Sequence, residues 1–221
     1  QAEEAESYHG IESVTIRKTG APVFDNWFTH LKPALSRKDF CAKYGLRAED
    51  PYFVYLGSAR NIARNEISEM SAIMRALKNA EFPLNKVQMV FRPHGGNYKQ
   101  YANFHLDNTV LIKGELPDTK EALQLFYDTL YHSVLAVNIN TSGIIDSIIA
   151  GKPGAALVYE KYKKAQMDTL HFKQLRDFGA IELAGSPEDF AAILADALRG
   201  NDRLKEKRDE FVKKFVRPRG L

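Results

Sequence analysis

The sequence has little cysteine and no long apolar segment. Cys41 is the only cysteine among 221 residues, which excludes an internal disulfide and a cysteine-based zinc site and fits a reducing compartment. No apolar run approaches the roughly 20 residues that a transmembrane helix needs, and the acidic first residues are unlike a signal peptide. These absences predict a globular, cytoplasmic protein.

Several nucleotide and metal motifs are also missing. The chain contains neither GxGxxG nor GxxxxGK[ST], which argues against the classical dinucleotide-binding and P-loop classes. Its six histidines form no HxxxH or HExxH pattern, so we expect no metal site. The formal net charge is only +3, so we expect no nucleic-acid partner.

Residues 134–158 form the clearest structural unit in the sequence. An apolar run at 134–137 leads through a polar hinge into a helical stretch with isoleucines on one side, and an apolar strand follows at 155–158. Apolar strands joined by one amphipathic helix need both faces of the sheet covered. The unit therefore predicts a parallel α/β sheet with a right-handed crossover.

The rest of the chain alternates predicted strands and helices from about residue 50 onward. Strands are predicted at 51–56, 87–91, 109–112, 134–137, 155–158 and 180–183, and helices at 36–45, 61–78, 120–131, 144–149, 170–178, 187–199 and 202–215. Ser36 and Ser186 are predicted helix caps. This alternation predicts an α/β fold with a Rossmann-like, doubly wound parallel sheet.

The segment before residue 36 is less regular. Residues 11–18 alternate enough apolar side chains to predict a further strand. Trp27 and Phe28 follow in a short aromatic stretch. They either pack against a neighbouring domain or complete the local core.

Three predicted strands end in glycine or polar residues. Ligands of doubly wound sheets bind outside the carboxyl ends of the strands, so we expect these residues to converge on one ligand. The three strand ends are Gly57-Ser58, Arg92-Pro93-His94 and Asn140-Thr141-Ser142.

The first two strand ends each have a functional and a structural interpretation. Gly57 and Ser58 allow the backbone to approach a phosphate, or they form a plain tight turn. Arg92 can bind phosphate with two donors and His94 can donate a hydrogen bond or transfer a proton. Alternatively, Arg92 pairs with a carboxylate and His94 caps a turn.

The third strand end precedes a helix whose amino terminus favours an anion. Thr141 and Ser142 could bind a phosphate there, or cap the helix for roughly 1 kcal/mol. Asp146 could accept hydrogen bonds from ribose, or be an exposed helical acid. Further along, Thr169 and His171 could contact a substrate, or His171 could be structural.

Seven stretches carry a family resemblance: TGAPVFDNWF, SRKDFCAKYGL, LGSA, VFRPHGG, YHSVLAVNINTSGIIDSIIAGKPG, QMDTLHF and FVKKFVRPRGL. They resemble the carboxyl-terminal half of GT-B glycosyltransferase-like proteins. Within these, the resemblance is to the surface-polysaccharide type related to CDP-glycerol glycerophosphotransferases and to the UDP-N-acetylglucosamine 2-epimerase-like group. Its most specific element is the pattern formed by Ser142, Asp146, Gly151 and Pro153.

The resemblance implies an architecture and a set of roles. Two Rossmann-like domains face each other, and the carboxyl-terminal one holds the donor nucleotide. The implied roles place Gly57 and Ser58 near the phosphates, Arg92 and His94 in the nucleotide cleft as catalytic residues, Asn140, Thr141 and Ser142 on the pyrophosphate, and Asp146 on the ribose. The chain departs from the family at Gly95, where a proline is usual, and at Asn138, where some members have an acid.

The resemblance also divides the chain. Residues 1–35 are interpreted as a remnant of an amino-terminal domain with its last strand and a linker. Residues 36–200 are interpreted as the nucleotide-sugar-binding domain, and residues 201–221 as a charged helix and tail.

The first functional hypothesis is donor binding in glycosyl or polyol-phosphate transfer. The donor would be UDP- or CDP-linked, and no cofactor would be required. A separate amino-terminal domain would be the partner that supplies the acceptor site, and a peripheral association with membrane glycan machinery would fit this role. The alternatives are a non-catalytic nucleotide-binding or assembly module and a UDP-sugar epimerase or hydrolase, so whether the chain itself is an enzyme stays open.

Overall fold

One parallel sheet organises the protein. The computed structural model describes residues 2–113 and 117–218, and the strands in these ranges are β1 Tyr52–Leu56, β2 Gln88–Arg92, β3 Thr109–Leu111, β4 Ala136–Asn138, β5 Gly154–Leu157 and β6 Glu182–Ala184. Their order is β3-β2-β1-β4-β5-β6, and every neighbouring pair is parallel. The predicted parallel α/β sheet is confirmed.

Helices connect the strands. They are α1 Ala2–His9, α2 Asp25–Thr29, α3 Arg37–Tyr44, α4 Ile67–Lys78, α5 Lys120–Tyr131, α6 Gly143–Ile149, α7 Lys163–Met167, α8 Leu170–Phe178, α9 Pro187–Leu198 and α10 Lys205–Phe211, the last continuing as a π-helical turn over Val212–Val216. The predictions at 120–131 and 170–178 match α5 and α8 residue for residue. Across the described residues, no helix combines the length and apolar character needed to cross a membrane.

The sheet buries a separate core on each face. Side chains alternate along β1, so Val54 and Leu56 join one core with residues of α3, α5, α6 and α8, whereas Phe53 and Tyr55 join the other with residues of α4 and α9. All five residues of β1 are buried, as expected of a parallel strand covered on both sides. The predicted doubly wound arrangement is confirmed.

The predicted helix caps are also present. The Ser36 hydroxyl accepts the N–H of Asp39 at the start of α3, which ends at Gly45 in the left-handed conformation. The Ser186 hydroxyl accepts the N–H of Asp189 at the start of α9. Each cap supplies an acceptor for a backbone donor that has no partner within its helix.

Trp27 belongs to the local core. Its buried ring lies edge-on to Phe126 and Tyr127 of α5, with centroid distances of 5.9 Å and 5.6 Å. Phe28 is partly buried against the same core. The structure thus bears out the interpretation that these rings complete the core around α5.

The structure corrects three predicted elements. Residues 11–18 form no strand and contain one 3-10 turn, Ser13–Thr15. Ile11 and Val14 are exposed, so a strand there would gain neither hydrogen-bond partners nor buried area.

The helix predicted at 61–78 begins only at Ile67, because residues 59–63 close a turn with two backbone hydrogen bonds to Ala59. The helix predicted at 202–215 begins at Lys205 and becomes π-helical after Phe211.

The division into a remnant, a binding domain and a tail stays a prediction. Gln1 of the predicted remnant and residues 219–221 of the predicted tail lie outside the described residues.

Arg37 fastens the segment before β1 to the rest of the domain. Its guanidinium donates to the carbonyl oxygens of Ala48 at 3.1 Å, Asp50 at 2.7 Å and His132 at 2.6 Å. It also lies 5.2 Å from the ring centroid of Tyr52. One side chain therefore joins α3, the loop that leads into β1 and the end of α5.

We expect Arg37→Met to lower the free energy of unfolding by about 3 kcal/mol, because three carbonyl groups lose a charged donor. Urea denaturation of the variant and the wild type measures this difference. Lys38→Met is the matched control, because Lys38 is exposed and neighbours Arg37. Equal midpoints for the two variants would contradict this role of Arg37.

The loops that follow β1 and β2 touch at Gly57. Its N–H donates to the carbonyl of Arg92 at 2.9 Å. A Cβ atom at Gly57 would lie 3.0 Å from Pro93 Cα and 3.1 Å from His94 N. Because these are backbone atoms, a side chain at position 57 would force the two loops apart.

We expect Gly57→Ala to cost about 1–3 kcal/mol of unfolding free energy through this overpacking. Gly96→Ala is the control, because the nearest atom to its added Cβ would be a side-chain atom of His94 at 3.4 Å. Thermal and urea unfolding of both variants gives the comparison. If Gly57→Ala lowered the unfolding free energy less than Gly96→Ala does, the loops after β1 and β2 would be free to separate, contrary to this prediction.

Candidate functional site

The three predicted strand ends lie side by side at one edge of the sheet. Strand β1 has β2 on one side and β4 on the other, and the chain reverses its direction across the sheet between β1 and β4. In open α/β sheets this switch point is the usual place for a ligand. Gly57 contacts the residues after β2, and the hydroxyl of Ser58 accepts the N–H of Asn140 at 3.3 Å. The structure therefore brings the three strand ends together.

Ser58 is held inside the protein. Its N–H and its hydroxyl donate to the carboxylate of Glu66 at 2.9 Å and 3.1 Å. Its carbonyl accepts the side-chain amide of Asn97 at 2.8 Å. The donors of Ser58 are therefore occupied within the protein, and Gly57-Ser58 has the geometry of a tight turn.

Sequence reasoning missed Glu66 and Asn97. An acid just before a helix is typical of an exposed first turn, so nothing in the sequence signals the burial of Glu66. Asn97 follows two glycines, a setting where asparagine is common for conformational reasons, and in the structure it lies in the 3-10 helix Gly95–Tyr101.

Two arginines project from the same loop after β1. Arg60 and Arg64 are exposed and line a surface depression of about 530 Å³ together with Asn61 and Ile62. Sequence reasoning missed them too, although two arginines four residues apart directly after a glycine-serine strand end were a usable signal. An anion at this edge of the sheet would find two cationic side chains there.

Arg92, the last residue of β2, is only 6% exposed. Its guanidinium carbon lies 4.6 Å from the ring centroid of Phe126, within the range of a cation–π interaction. It also lines a cavity of about 250 Å³ with Tyr44, Leu111, Ile112, Lys113, Ala122 and Leu125. The positive charge of Arg92 therefore lies mainly inside the domain and not at its surface.

His94 caps the 3-10 helix that follows β2, as one interpretation of the sequence had it. Its Nδ1 accepts the N–H of Gly96 at 3.1 Å. In a neutral imidazole only one nitrogen carries a proton, so this bond places the proton on Nε2. His94 is partly exposed, and it can therefore donate a hydrogen bond from Nε2 while it caps the helix.

Asp146 is half-buried in α6. Burial raises the pKa of its carboxyl group to about 7, and the positive charge of Arg92 opposes this rise. The interpretation as an exposed helical acid is therefore wrong. At neutral pH the group is partly protonated, so it can both donate and accept hydrogen bonds.

The hinge after β4 has a fixed part and a free part. Asn138 donates its side-chain amide to the carbonyl of Thr141 at 3.0 Å. Asn140 is buried and donates to the carbonyl of Ala165 at 3.0 Å and to the Thr169 hydroxyl at 2.9 Å. Ser142 is exposed, and its hydroxyl makes no capping bond to α6. Ser142 is thus available to a ligand, whereas Asn140 holds the hinge.

Of the remaining predicted residues, Thr141 and Thr169 lie beside this hinge. The Thr141 hydroxyl is 3.5 Å from the N–H of Gly143, a weak contact at the start of α6. The Thr169 hydroxyl accepts a hydrogen bond from the side-chain amide of Asn140 and donates one to the carbonyl of Gln166 at 2.9 Å. His171 is half-buried, and burial lowers the pKa of its ring. Thr169 is tied to the site through Asn140, and His171 follows it by two residues.

The described ranges, 2–113 and 117–218, contain no group of three or more His, Cys, Asp or Glu side chains placed to hold a metal ion. Arg60, Arg64 and Arg92 all lie in or after strands that end at this edge of the sheet. An anionic ligand would therefore be met by arginine and by backbone and hydroxyl donors.

Comparisons with known proteins identify the fold. No known protein-family model and no curated protein matches the chain. Among solved structures, the wall teichoic acid polymerase TagF is 16% identical over 97% of this chain and 50% of its own, with a TM-score of 0.64. The UDP-GlcNAc 2-epimerase of Methanocaldococcus jannaschii, in complex with UDP-GlcNAc and UDP, is 15% identical over 94% of this chain and 56% of its own, with a TM-score of 0.59.

A third structure contains a single domain. The C-terminal CMP-Kdo binding domain of WaaA from Acinetobacter baumannii is 12% identical over 80% of this chain and 96% of its own, with a TM-score of 0.50. The chain thus spans about half the length of the polymerase and the epimerase, and nearly all of this domain. At these identities the likeness shows the fold alone: the chain has a Rossmann-like fold that matches one half of the GT-B architecture.

Proposed function

We propose that the chain is the donor-binding domain of a GT-B-type transferase that uses a nucleotide sugar or a nucleotide-linked polyol phosphate. The observation that carries this proposal is the convergence of three strand ends at the switch point between β1 and β4. The fold neighbours support it, because one is a CMP-Kdo binding domain and another is a complex with UDP-GlcNAc and UDP.

The phosphates would lie between the loops that follow β1 and β4. Arg60 and Arg64 would contribute charge and paired donors from one side. The hydroxyl of Ser142 and the amino-terminal N–H groups of α6 would contribute donors from the other side. With two arginines and a helix terminus, the diphosphate charge can be offset without a metal ion.

The catalytic roles would fall to His94 and Arg92. His94 would donate from Nε2 to the leaving diphosphate. Arg92, which is nearly buried, would stabilise the developing negative charge through its field. Asp146 would contact the ribose, because a partly protonated carboxyl group can both accept from and donate to hydroxyl groups.

Transfer would require a second domain, because the donor site lies at an open edge of the sheet. In this proposal, an amino-terminal domain supplies the acceptor site and closes over the donor.

A second candidate is a binding or assembly module that has the fold without the activity. The engagement of Ser58 and Asn140 within the protein favours it, because it leaves fewer free donors at the crevice. Fold by itself does not establish function. Nucleotide affinity separates the two candidates.

We expect calorimetric titration with UDP, CDP, GDP and CMP to show saturable binding of at least one nucleotide. The double variant Arg60→Ala, Arg64→Ala should weaken that binding about tenfold or more, because two charge-assisted contacts to phosphate are lost. Lys213→Ala, Lys214→Ala is the matched control, because it removes the same charge from exposed residues after α10. Absence of binding by all four nucleotides would contradict the donor-binding function, and equal losses in the two double variants would contradict this phosphate site.

We expect the free energy of unfolding to fall between pH 5 and pH 8. An aspartate whose native pKa is raised from 3.8 to about 7 stabilises the native state at low pH, and this contribution is lost as pH rises through about 7. Asp146→Asn should therefore make the free energy of unfolding fall less steeply with pH. Urea denaturation at several pH values across this range measures this slope. Asp118→Asn, at an exposed carboxylate, should leave it unchanged; identical slopes for the wild type and Asp146→Asn would refute the burial of Asp146.

A further inference from the structure

A buried carboxylate lies directly behind the proposed phosphate loop. Glu66, the residue before α4, is 0% exposed. It accepts the N–H of Ser58 at 2.9 Å, the hydroxyl of Ser58 at 3.1 Å and the hydroxyl of Tyr55 at 3.4 Å. Burying a carboxylate is costly unless it is well hydrogen-bonded, and these bonds tie the two ends of the loop 57–66 together.

The hydrogen bonds continue from Glu66 across the crevice. Ser58 accepts the N–H of Asn140 at 3.3 Å, and Asn140 donates to the Thr169 hydroxyl at 2.9 Å. In the other direction, the N–H of Glu66 donates to the Tyr101 hydroxyl at 3.2 Å. Through its carboxylate and its backbone N–H, Glu66 is thereby connected to the loops after β1 and β4 and to the 3-10 helix after β2.

We propose that Glu66 is a positioning residue for the nucleotide site, which holds the loop carrying Arg60 and Arg64 in the conformation that receives the phosphates. This inference rests on the proposed function, because it assigns Glu66 to the same site. Glu66 itself is buried behind the loop and would not touch the nucleotide.

The ionisation of Glu66 should control this loop. Burial raises the pKa of Glu66 to about 7, and the nearby Glu69 adds to the rise, whereas the hydrogen bonds from Ser58 and Tyr55 oppose it. The other groups that face it are Tyr101 and Tyr162, and Glu69 itself is paired with Lys161. The field around Glu66 therefore comes from acidic and neutral groups, apart from the Lys161 that Glu69 binds.

Protonation would change the hydrogen bonding of the loop. The ionised carboxylate accepts three donors, whereas the protonated acid must itself donate. One hydroxyl proton, of Ser58 or of Tyr55, then loses its acceptor. Burial nevertheless makes the ionised form the costlier one, as the raised pKa of Glu66 shows, so the loop should be held firmly below about pH 7 and loosened above it.

The test uses Glu66→Gln, which has nearly the same shape but carries no charge at any pH. Affinity for UDP-N-acetylglucosamine and CDP-glycerol is measured at pH 8 and pH 6; both are diphosphate diesters, which lack the phosphate ionisation near pH 6 that free nucleotides have. Wild-type affinity should fall roughly 3- to 10-fold from pH 6 to pH 8. Glu66→Gln should bind at pH 8 about as tightly as the wild type does at pH 6, with a flatter pH profile.

Asp128→Asn is the matched control. Asp128 is also buried and accepts a backbone N–H, that of Ala34 at 3.1 Å, but its partners lie around α5 on the other face of the sheet. This variant should keep the wild-type pH profile of binding, even if its stability changes. A flattened profile in Asp128→Asn as well would assign the effect to general destabilisation and overturn the role of Glu66.

A second measurement separates this inference from the proposed function. In the nucleotide-free protein, the amide resonances of Ser58 and Asn140 should titrate with a midpoint near pH 7, and Glu66→Gln should abolish the titration. If the amides titrate but neither ligand binds the wild type at any pH, the proposed function fails. Glu66 then has only a structural role, which is to fix the conformation of the loop. If the amides do not titrate, or if Glu66→Gln binds at pH 8 as weakly as the wild type does at pH 8, the inference is overturned.

Discussion

The structure depends on the complete burial of one parallel strand. Strand β1 has hydrogen-bonded neighbours on both sides and helices on both faces, and none of its side chains reaches solvent. A strand in this position can carry a polar group only where a partner inside the protein satisfies it, as Glu66 does for the Tyr55 hydroxyl, or beyond the ends of the strand. Chemistry is therefore confined to the loop after β1 and to the loops after its two neighbours, which the parallel pairing delivers to the same edge of the sheet.

At that edge the protein keeps carboxyl groups where burial makes ionisation costly. Glu66 and Asp146 lie on the two sides of the crevice, behind the loops after β1 and β4, and both have a pKa near 7. Neither is neutralised by a direct ion pair among the described residues. Acids without an ion pair in such positions weaken the native state as they ionise, and carboxyl groups with pKa values shifted in this way are typical of functional sites.

Much of the framework could be predicted because local signals and tertiary packing agree. The apolar runs at β1 and β2 mark buried strands, and Ser36 and Ser186 mark helix starts by capping chemistry that operates over three residues. The convergence of the three strand ends followed from the connectivity of a parallel sheet, without any contact being known.

The errors arose where local and tertiary signals disagree. Ile62 continues the apolar spacing of α4, yet it packs from a turn, since the hydrogen bonds of Glu66 draw that segment back towards Ser58. Residues 11–18 alternate like a strand but have no neighbouring strand to pair with. Whether a polar residue such as Ser58 faces a ligand or the interior depends on partners distant in sequence, which periodicity cannot show.

The contacts of Asn97 and Tyr101 have a consequence for motion. The amide of Asn97 bonds Ser58, and the hydroxyl of Tyr101 accepts the N–H of Glu66, so the segments after β1 and β2 are joined as a single rigid body. Rearrangement on one side of the crevice would therefore need several bonds to break at once. On the opposite side, Ser142 makes no capping bond to α6 and Thr141 makes only a long one. Fewer bonds hold this side, so opening or closing of the crevice should begin with a movement of α6.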